Sequence, residues 1–599
     1  MTTLLDVMAV PASGDPAVAV LDCGEPGARV EEIACDVLVV GGGTGGIAAA
    51  LAAARTGSAL KAGDSRVLLL EETDWVGGQL TAQGVPALDE HEHIERFGGT
   101  RSYYALREGI RDHYRRLSPI LAARPHPNPG SCWVTRLAFE PRVALEVLLG
   151  MAAPHVDAGR LRILTRTKAA RAEVADQRIT ALLAVNLDDR RWLRILPRIV
   201  IDATELGDVL PLVGAAYVVG AEARAETGEP HAQPVAPSAR CVQSFTYTVV
   251  LERMAPGERH AIPRPEKYER YRDGQPYSLR IHVHGGEIYS EETGWLEYRM
   301  LEQAPGTKGG LWTYRRLVAA ENFPGSARYP RDISMINWPG NDYRDESLLD
   351  RSPQEQARAL QDGKRVSLGF LHWMQTEAPR PGSPPGFPEF RPRPDLFATP
   401  DALGKHPYIR ECRRIRALAT VLEHDVSADS QPGARARHFD DSVGIGWYPI
   451  DIHNSGPEDV GVSCRTRPFQ IPMGALIPRR VRNLLAGAKN LGTTHITNGC
   501  YRLHPVEWNV GEAAGTLAAW SLESGKDPAE VHADPVLRRA LQRRLAEDGV
   551  PLCWLVDVGV DHPAFGALHM AVMTGEVKAA PDSLEAAALP EAVRRRFGL

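Results

Sequence analysis

Apolar residues run unbroken from Val37 to Val40, stop at a cluster of glycines, and resume as the alanine-rich stretch Ile47–Arg55. The segment from Cys35 to Val40 predicts a strand buried on both faces of a parallel sheet, and the alanine-rich stretch predicts a helix. A second buried strand is predicted at 66–70 (RVLLL), closed by Glu71. Strand-like runs at 161–165, 170–174, 178–185 and 193–202 read as a β-meander returning to the same sheet. A late strand within 482–490 leads to a helix starting near Pro505, with Gly511, Ala514, Gly515 and Ala518 on one face. Helical patterns are also predicted at 101–117, 352–374 and 408–424, with strands in SFTYTVVLE and LRIHVH and a Pro/Gly-rich loop at 376–400.

The glycines between the first strand and helix fit G-x-G-x-x-G at Gly41, Gly43 and Gly46. The order strand, glycine turn, helix, strand, acid is the context that a dinucleotide-binding unit requires. Gly41 permits the tight turn, Gly43 lets the backbone approach a pyrophosphate, and Gly46 allows close helix–strand packing. The free N–H groups of the helix start, around Thr44 and Gly45, attract phosphate. Glu71 is placed to accept hydrogen bonds from ribose hydroxyls. It follows Gly46 by 25 residues, and SALKAGD (58–64) reads as an insertion before the second strand. A further pair, Gly77-Gly78, follows at once in DWVGGQLTAQGVPALDEH. FAD, which extends past the first βαβ unit, needs this second close backbone approach; a nicotinamide dinucleotide does not.

Longer motifs then carry a resemblance: GGGTGG, DWVGGQLTAQGVPALDEH, QSFTYTV, MINWPGNDY, HPYIRECRRIRA and LLAGAKNLGTTHITNGCYRLHPVEWNVGEAAG. With them the chain resembles the bacterial FAD-dependent oxidoreductases of the FAD_oxidored family, with a glutathione-reductase-like superfold. The resemblance implies an α/β fold: a discontinuous FAD-binding Rossmann domain with an inserted α+β substrate domain. It implies FAD held by Gly41, Gly43, Gly46, Glu71, Gly77, Gly78 and Gln79, with contacts from Ala203, Thr204 and the late strand-to-helix crossing at Gly487. Asn490 stands near the place where relatives carry an aspartate for the ribityl chain.

On this reading the FAD domain comprises 31–85, 135–216 and 441–525, with a helical cap at 86–134 and a substrate domain at 217–440. Residues 1–30 are expected to be a loose extension and 526–599 a helical C-terminal region. The chain has 599 residues and a formal net charge of −6, with both signs interspersed, which gives no footprint for nucleic acid or an anionic membrane. Eight cysteines without C-x-x-C spacing argue against a disulfide framework or zinc ribbon, and no metal site is expected. The longest apolar runs fall short of a membrane span. A cytoplasmic enzyme acting on a small molecule is the expectation; the oligomeric state is left open.

Only one G-x-G-x-x-G occurs in strand–helix context, and the redox C-x-x-x-x-C of disulfide reductases is missing. The reductant is therefore expected to be the substrate, oxidised by a dehydrogenase or oxidase that passes electrons to oxygen or another acceptor. A monooxygenase using external NAD(P)H and a redox-silent FAD-binding protein are the alternatives. Hydride removal needs a base, for which His495 and His504 are candidates. Arg502 is a candidate for holding a substrate carboxylate or flavin carbonyls, and Tyr501 for lining the flavin face. Asp89, His91 and His93 are expected near the ring. Asn337, Trp338, Asn341, Asp342 and Tyr343 form a polar–aromatic cluster suited to a hydroxylated ligand. Arg410, Glu411 and Arg414 fit an intrahelical ion-pair ladder.

Overall fold

The computed structural model describes residues 2–599 except 28–29, 57–66, 276, 285–292 and 456–460. The SALKAGD segment lies outside the described residues. Residues 2–27 are not a loose extension. β1 (Thr3–Leu5) and β2 (Val20–Asp22) pair as an antiparallel hairpin. Leu5, Val7, Val10 and Ala19 are buried in the core of the inserted region, and Leu4 and Cys23 pack with Val185 and Trp192. Asp6 also pairs with Arg166 at 2.5 Å. Pro11, Gly14 and Pro16 break the apolar periodicity here, so burial comes from distant partners that the local pattern does not reveal.

β3 (Glu31–Val40), β4 (Val67–Leu70), β5 (Leu161–Leu164), β6 (Thr167–Ala175), β7 (Arg178–Asn186) and β8 (Trp192–Asp202) form one sheet with the strand Leu484–Ala486. The order is β5-β4-β3-β8-β7-β6, and Leu484–Ala486 pairs in parallel with the end of β8. β5 pairs in parallel with β4, so the meander is β6-β7-β8 and lacks the first of its expected strands. The helix Pro141–Asp157 precedes β5 and supplies the crossover that parallel pairing needs. Val40 lies opposite both Leu70 and Asp202, so β4, β3 and β8 end level. Gly41, Glu71 and Ala203 leave the sheet along that one edge.

α1 (Thr44–Thr56) crosses the helix His504–Ser524 backbone to backbone. A Cβ on Gly511 would lie 1.9 Å from the Gly45 carbonyl oxygen, and one on Gly515 2.1 Å from that of Ala49. The small-residue face read from the sequence serves this contact.

The inserted region is built on a four-stranded sheet ordered Arg316–Val318, Ile333–Ile336, Val249–Arg253, Phe390–Pro392. The helix Pro353–Thr376 packs against this region and starts at Ser352, whose Oγ accepts from the Glu355 N–H. The helix expected at 408–424 is absent: this stretch is extended or irregular except for a short turn at Glu423–Val426. Arg410, Arg413 and Arg414 are buried and pair with Asp342, Asp208 and Glu222 at 3.1, 3.1 and 3.0 Å. Acids from three other segments, rather than a ladder along one helix, satisfy these charges. The Arg414–Glu411 pair does form, on non-helical backbone. Helices at Pro528–Ala533, Pro535–Glu547 and Phe565–Met573 fill the C-terminal region.

Candidate active site

The shared edge of β4, β3 and β8 is a topological switch point, where open α/β sheets bind ligands. Gly41, with φ +95°, could not carry a side chain: a Cβ would meet the Ala203 carbonyl at 2.4 Å. The two glycine motifs interlock. Thr44 Oγ1 donates to the Gly77 carbonyl at 2.9 Å, and the Gly77 N–H donates to the Gly42 carbonyl at 2.7 Å. A Cβ on Gly78 would lie 2.8 Å from Gly43 Cα. Glu71 accepts from the Gly42 N–H at 2.7 Å and from the Thr73 N–H at 2.8 Å. Its burial, with help from Glu72, pushes its pKa up to about 7. Gly41, Gly43, Glu71, Gly78, Ala203 and Thr204 line one cleft.

This edge fits a dinucleotide. Buried Lys489 places a cation beside the glycine loop and pairs with Glu205 and, at 3.5 Å, Glu507. The Glu205 carboxylate is the only group that a Cβ on Gly43 would meet closely. Gln79 donates to the Arg502 carbonyl at 3.0 Å, while its buried Oε1 has no hydrogen-bond partner among the described residues. Asp202 Oδ2 is likewise without a partner among the described residues, and burial is the main cause pushing the Asp202 pKa up to about 7. Gly45 and Gly487 serve the packing beneath: Cβ atoms there would lie 2.1 Å from the Gly487 carbonyl and 2.4 Å from Ile201 Cγ2. Asn490 turns back on its own chain, donating to the Asp202 carbonyl at 2.9 Å and accepting from the Ala488 N–H at 3.3 Å.

A second cleft, of about 490 Å³, opens beyond Arg502 between the two regions. Asp89, Asn337, Tyr408, Arg410, Asp451 and His453 are in its wall. His453 Nδ1 is 2.6 Å from Asp342 Oδ2, and its Nε2 is 3.5 Å from Asp451 Oδ2. Burial alone would raise the pKa of Asp342; the charges of Arg410 and His453 outweigh it and hold the carboxyl well below its usual range. Arg502 donates to the Tyr408 hydroxyl at 2.7 Å and pairs with Asp451 at 3.1 Å. Arg315 pairs with Asp89 at 2.9 Å.

Asp89, Asn337 and Arg502 are the sequence-predicted candidates that line this cleft. Trp338, Asn341 and Tyr343 lie behind it. Trp338 Nε1 donates to the Ser278 carbonyl at 3.2 Å, Asn341 accepts from the Trp338 N–H at 2.8 Å, and Tyr343 packs on Phe245. His91 is buried against Trp447 and Trp554, and burial is the main cause that pushes its pKa down to about 3. Tyr501 donates to the Gln470 carbonyl at 2.6 Å and stacks on Phe469. His504 spans two backbone groups: Nδ1 accepts from the Asp89 N–H at 3.0 Å, and Nε2 is 3.0 Å from the Val85 carbonyl. His495 Nδ1 is 2.9 Å from Glu411, and its Nε2 is 3.9 Å from Cys241 Sγ. Neither histidine lines the cleft.

Sequence reasoning missed His453, Tyr408 and Asp451, and took Arg410 for part of a helix. His453 sits in YPIDIHNS, whose apolar–polar alternation spans only one short strand and carries no motif, and its partner Asp342 is 111 residues away. It also missed a separate cluster in which ligand atoms of His231, Glu423 and Cys464 lie within 4.8 Å of one another, although His231 and Glu423 already pair at 2.6 Å.

The glycine-rich edge is of the kind that binds dinucleotides, and the family comparison gives the class. Residues 36–545 match the family model described as FAD dependent oxidoreductase, and the chain belongs to that family, with FAD as its cofactor. The solved structures that resemble it include p-nitrophenol 4-monooxygenase from Pseudomonas putida DLL-E4, with 12% identity over 95% of this chain and 93% of that one, at a TM-score of 0.33. E. coli quinol fumarate reductase FrdA shows 12% identity over 86% and 74%, at 0.29. L-proline dehydrogenase from P. horikoshii shows 19% over 30% of this chain, which spans 24% of that enzyme's length, at 0.17. Likenesses this loose assign no reaction. No curated protein sequence matches the chain. No helix among the described residues is long and apolar enough to cross a membrane.

Proposed function

We propose that the protein is a dehydrogenase or oxidase that removes a hydride from a small polar organic substrate held in the Arg502–His453 cleft. Bound FAD would supply the hydride acceptor and a route for the electrons to oxygen or another acceptor. The observation that carries this reading is the double position of Arg502. Its carbonyl accepts from Gln79 of the second glycine motif, while its guanidinium lines the cleft. One residue thus spans the cofactor edge and the substrate space. Gly41, Gly43, Glu71, Gly78, Gln79 and Lys489 would hold the cofactor. Asp342 accepts from His453 Nδ1–H, and Nε2, which faces Asp451 at 3.5 Å, is the ring nitrogen that would exchange a proton with a substrate hydroxyl or amine. The lone dinucleotide motif favours electrons arriving from this substrate.

The test is anaerobic mixing of the holoenzyme with a panel of alcohols, hydroxy acids and amines, following loss of flavin absorbance. A member of the panel should bleach the flavin, and His453→Asn should slow that step by about 10²–10⁴-fold with FAD still bound. Bleaching by NAD(P)H alone would overturn the reading in favour of a monooxygenase. A full rate in His453→Asn would remove His453 from proton transfer.

A further inference from the structure

His231, Glu423 and Cys464 converge from three separate segments: the turn at 230–231, the short helix Glu423–Val426 and the strand Val462–Cys464. Their ligand atoms all lie within 4.8 Å of one another. His231 Nδ1 is 2.6 Å from Glu423 Oε1, and the His231 N–H donates to Glu423 Oε2 at 3.1 Å. Cys464 Sγ is 3.6 Å from either ring nitrogen. The Glu423 side chain is 2% exposed and that of His231 42%, so the acid lies at the floor of the cluster and the ring at its mouth. A second buried acid stands behind. Glu229 Oε1 accepts from the Glu423 N–H at 2.8 Å and from Thr494 Oγ1 at 2.7 Å, while its Oε2 has no hydrogen-bond partner among the described residues. Among the described residues, no lysine or arginine forms an ion pair with either acid.

Imidazole nitrogen, thiolate sulfur and carboxylate oxygen are the donors that zinc takes, and at its ordinary bond lengths a tetrahedral ion holds nitrogen and sulfur about 3.6 Å apart. The His231–Cys464 spacing meets that requirement. A sulfur equidistant from both ring nitrogens stands over the ring face, so the imidazole has to turn about its Cβ–Cγ bond to aim Nδ1 at a shared ion. The Glu423 carboxylate has to draw back from its 2.6 Å contact. Both are side-chain adjustments, and the exposure of the ring leaves room for the first. We propose that His231, Glu423 and Cys464 form a zinc site, with a fourth position open to solvent on the His231 side. Binding displaces the Nδ1 and thiol protons, and the thiolate and carboxylate then neutralise the dication. Glu229 is a positioning residue that holds the Glu423 backbone from behind. Val462 and Ser463, which precede Cys464 on its strand, line the large cleft. The ion would thus tie that part of the cleft wall to the 423–426 helix and the 230–231 turn. The site does not depend on the oxidation reading.

The test is titration of the FAD-loaded protein, reduced and freed of metal by a chelator, with Zn²⁺, Co²⁺ and Mg²⁺. Calorimetry reads the binding. For Co²⁺, a difference spectrum against the flavin background reads the thiolate-to-cobalt charge-transfer band. Zn²⁺ should bind at one ion per chain and about tenfold or more tightly than Mg²⁺, because a thiolate selects the softer ion. Cys464→Ser and His231→Ala should each weaken Zn²⁺ by about tenfold or more, and Cys464→Ser should also remove the cobalt band. Cys241→Ser, which alters the other partly exposed thiol, should keep both. The comparison of Zn²⁺ with Mg²⁺ is made on the unaltered protein, so it stands even if a variant misfolds. The proposal is overturned if Zn²⁺ does not bind, if Mg²⁺ binds as tightly, or if Cys464→Ser retains the cobalt band. Loss of the band in Cys241→Ser with Cys464 intact would overturn it as well, by moving the ion to another thiol.

Discussion

Gly43→Ala separates glycines that serve a ligand from those that serve the fold. A Cβ at Gly43 meets one group closely, Glu205 Oε1 at 2.4 Å, which is the tip of a flexible side chain; the nearest backbone atom is 3.9 Å away. At Gly46 the Cβ would lie 1.9 Å from the Gly41 carbonyl oxygen, and at Gly45 2.1 Å from that of Gly487. Gly43→Ala should therefore fold, with its methyl in the space where the pyrophosphate approaches. Loss of one hydrogen bond to a charged group costs about 1.5–3 kcal/mol, which raises the FAD Kd about 10- to 150-fold. Gly46→Ala must move backbone and should destabilise the protein by about 1–3 kcal/mol or more. The assay pairs thermal unfolding of the apoprotein with titration of FAD followed by flavin fluorescence. Wild-type FAD affinity in Gly43→Ala, or unfolding as severe as in Gly46→Ala, would refute the assignment of Gly43 to the ligand.

The pair of His495 and Glu411 should give a pH-dependent contribution to stability. Burial opposes the His495 charge, but Glu411 more than offsets this and its pKa is pushed up to about 10; that of Glu411 is pulled down to about 2, against its own burial, by His495 and Arg414. The histidine contribution is complete below its unfolded value and is lost as pH rises through about 10, while the glutamate contribution is lost as pH falls toward about 2. The gap in melting temperature between wild type and Glu411→Gln should thus be widest at about pH 5–6 and narrow toward alkaline pH; a constant gap would refute the pairing. His504, whose burial is the main cause holding its pKa down at about 4, is expected to be a positioning residue. His504→Ala should cost about 1–3 kcal/mol of stability and leave the pH profile of flavin reduction unshifted; a lost limb in that profile would make it a proton-transfer group. Asp342→Ala leaves Arg410 buried without its acid and should destabilise the fold by about 3–5 kcal/mol in denaturant titration; an unchanged midpoint would mean the pair is not formed.

The sequence by itself determined the parts that depend on local pattern. Val37–Val40, the glycines that follow, and the Ala-rich run could only be strand, turn and helix, because burial on both faces and freedom from Cβ are written in adjacent residues. Gly77-Gly78 pointed to FAD for the same reason, and the small face of the His504–Ser524 helix showed its spacing before its partner was known. Tertiary structure alone decided what depends on distant pairing. The N-terminal hairpin is ordered because Asp6 finds Arg166 and Leu5 finds the inserted core. The 408–424 stretch is irregular because its arginines reach acids on three other segments instead of lining one helix face. His495, His504 and Tyr501 stand near the expected sequence landmarks, yet their polar atoms are occupied by Glu411 and by backbone groups. His453 entered the site unannounced, since a pair formed across 111 residues leaves no period in either strand of sequence. Local conformation follows from neighbours along the chain; the charge and shape of a cleft follow from which distant side chains folding brings together.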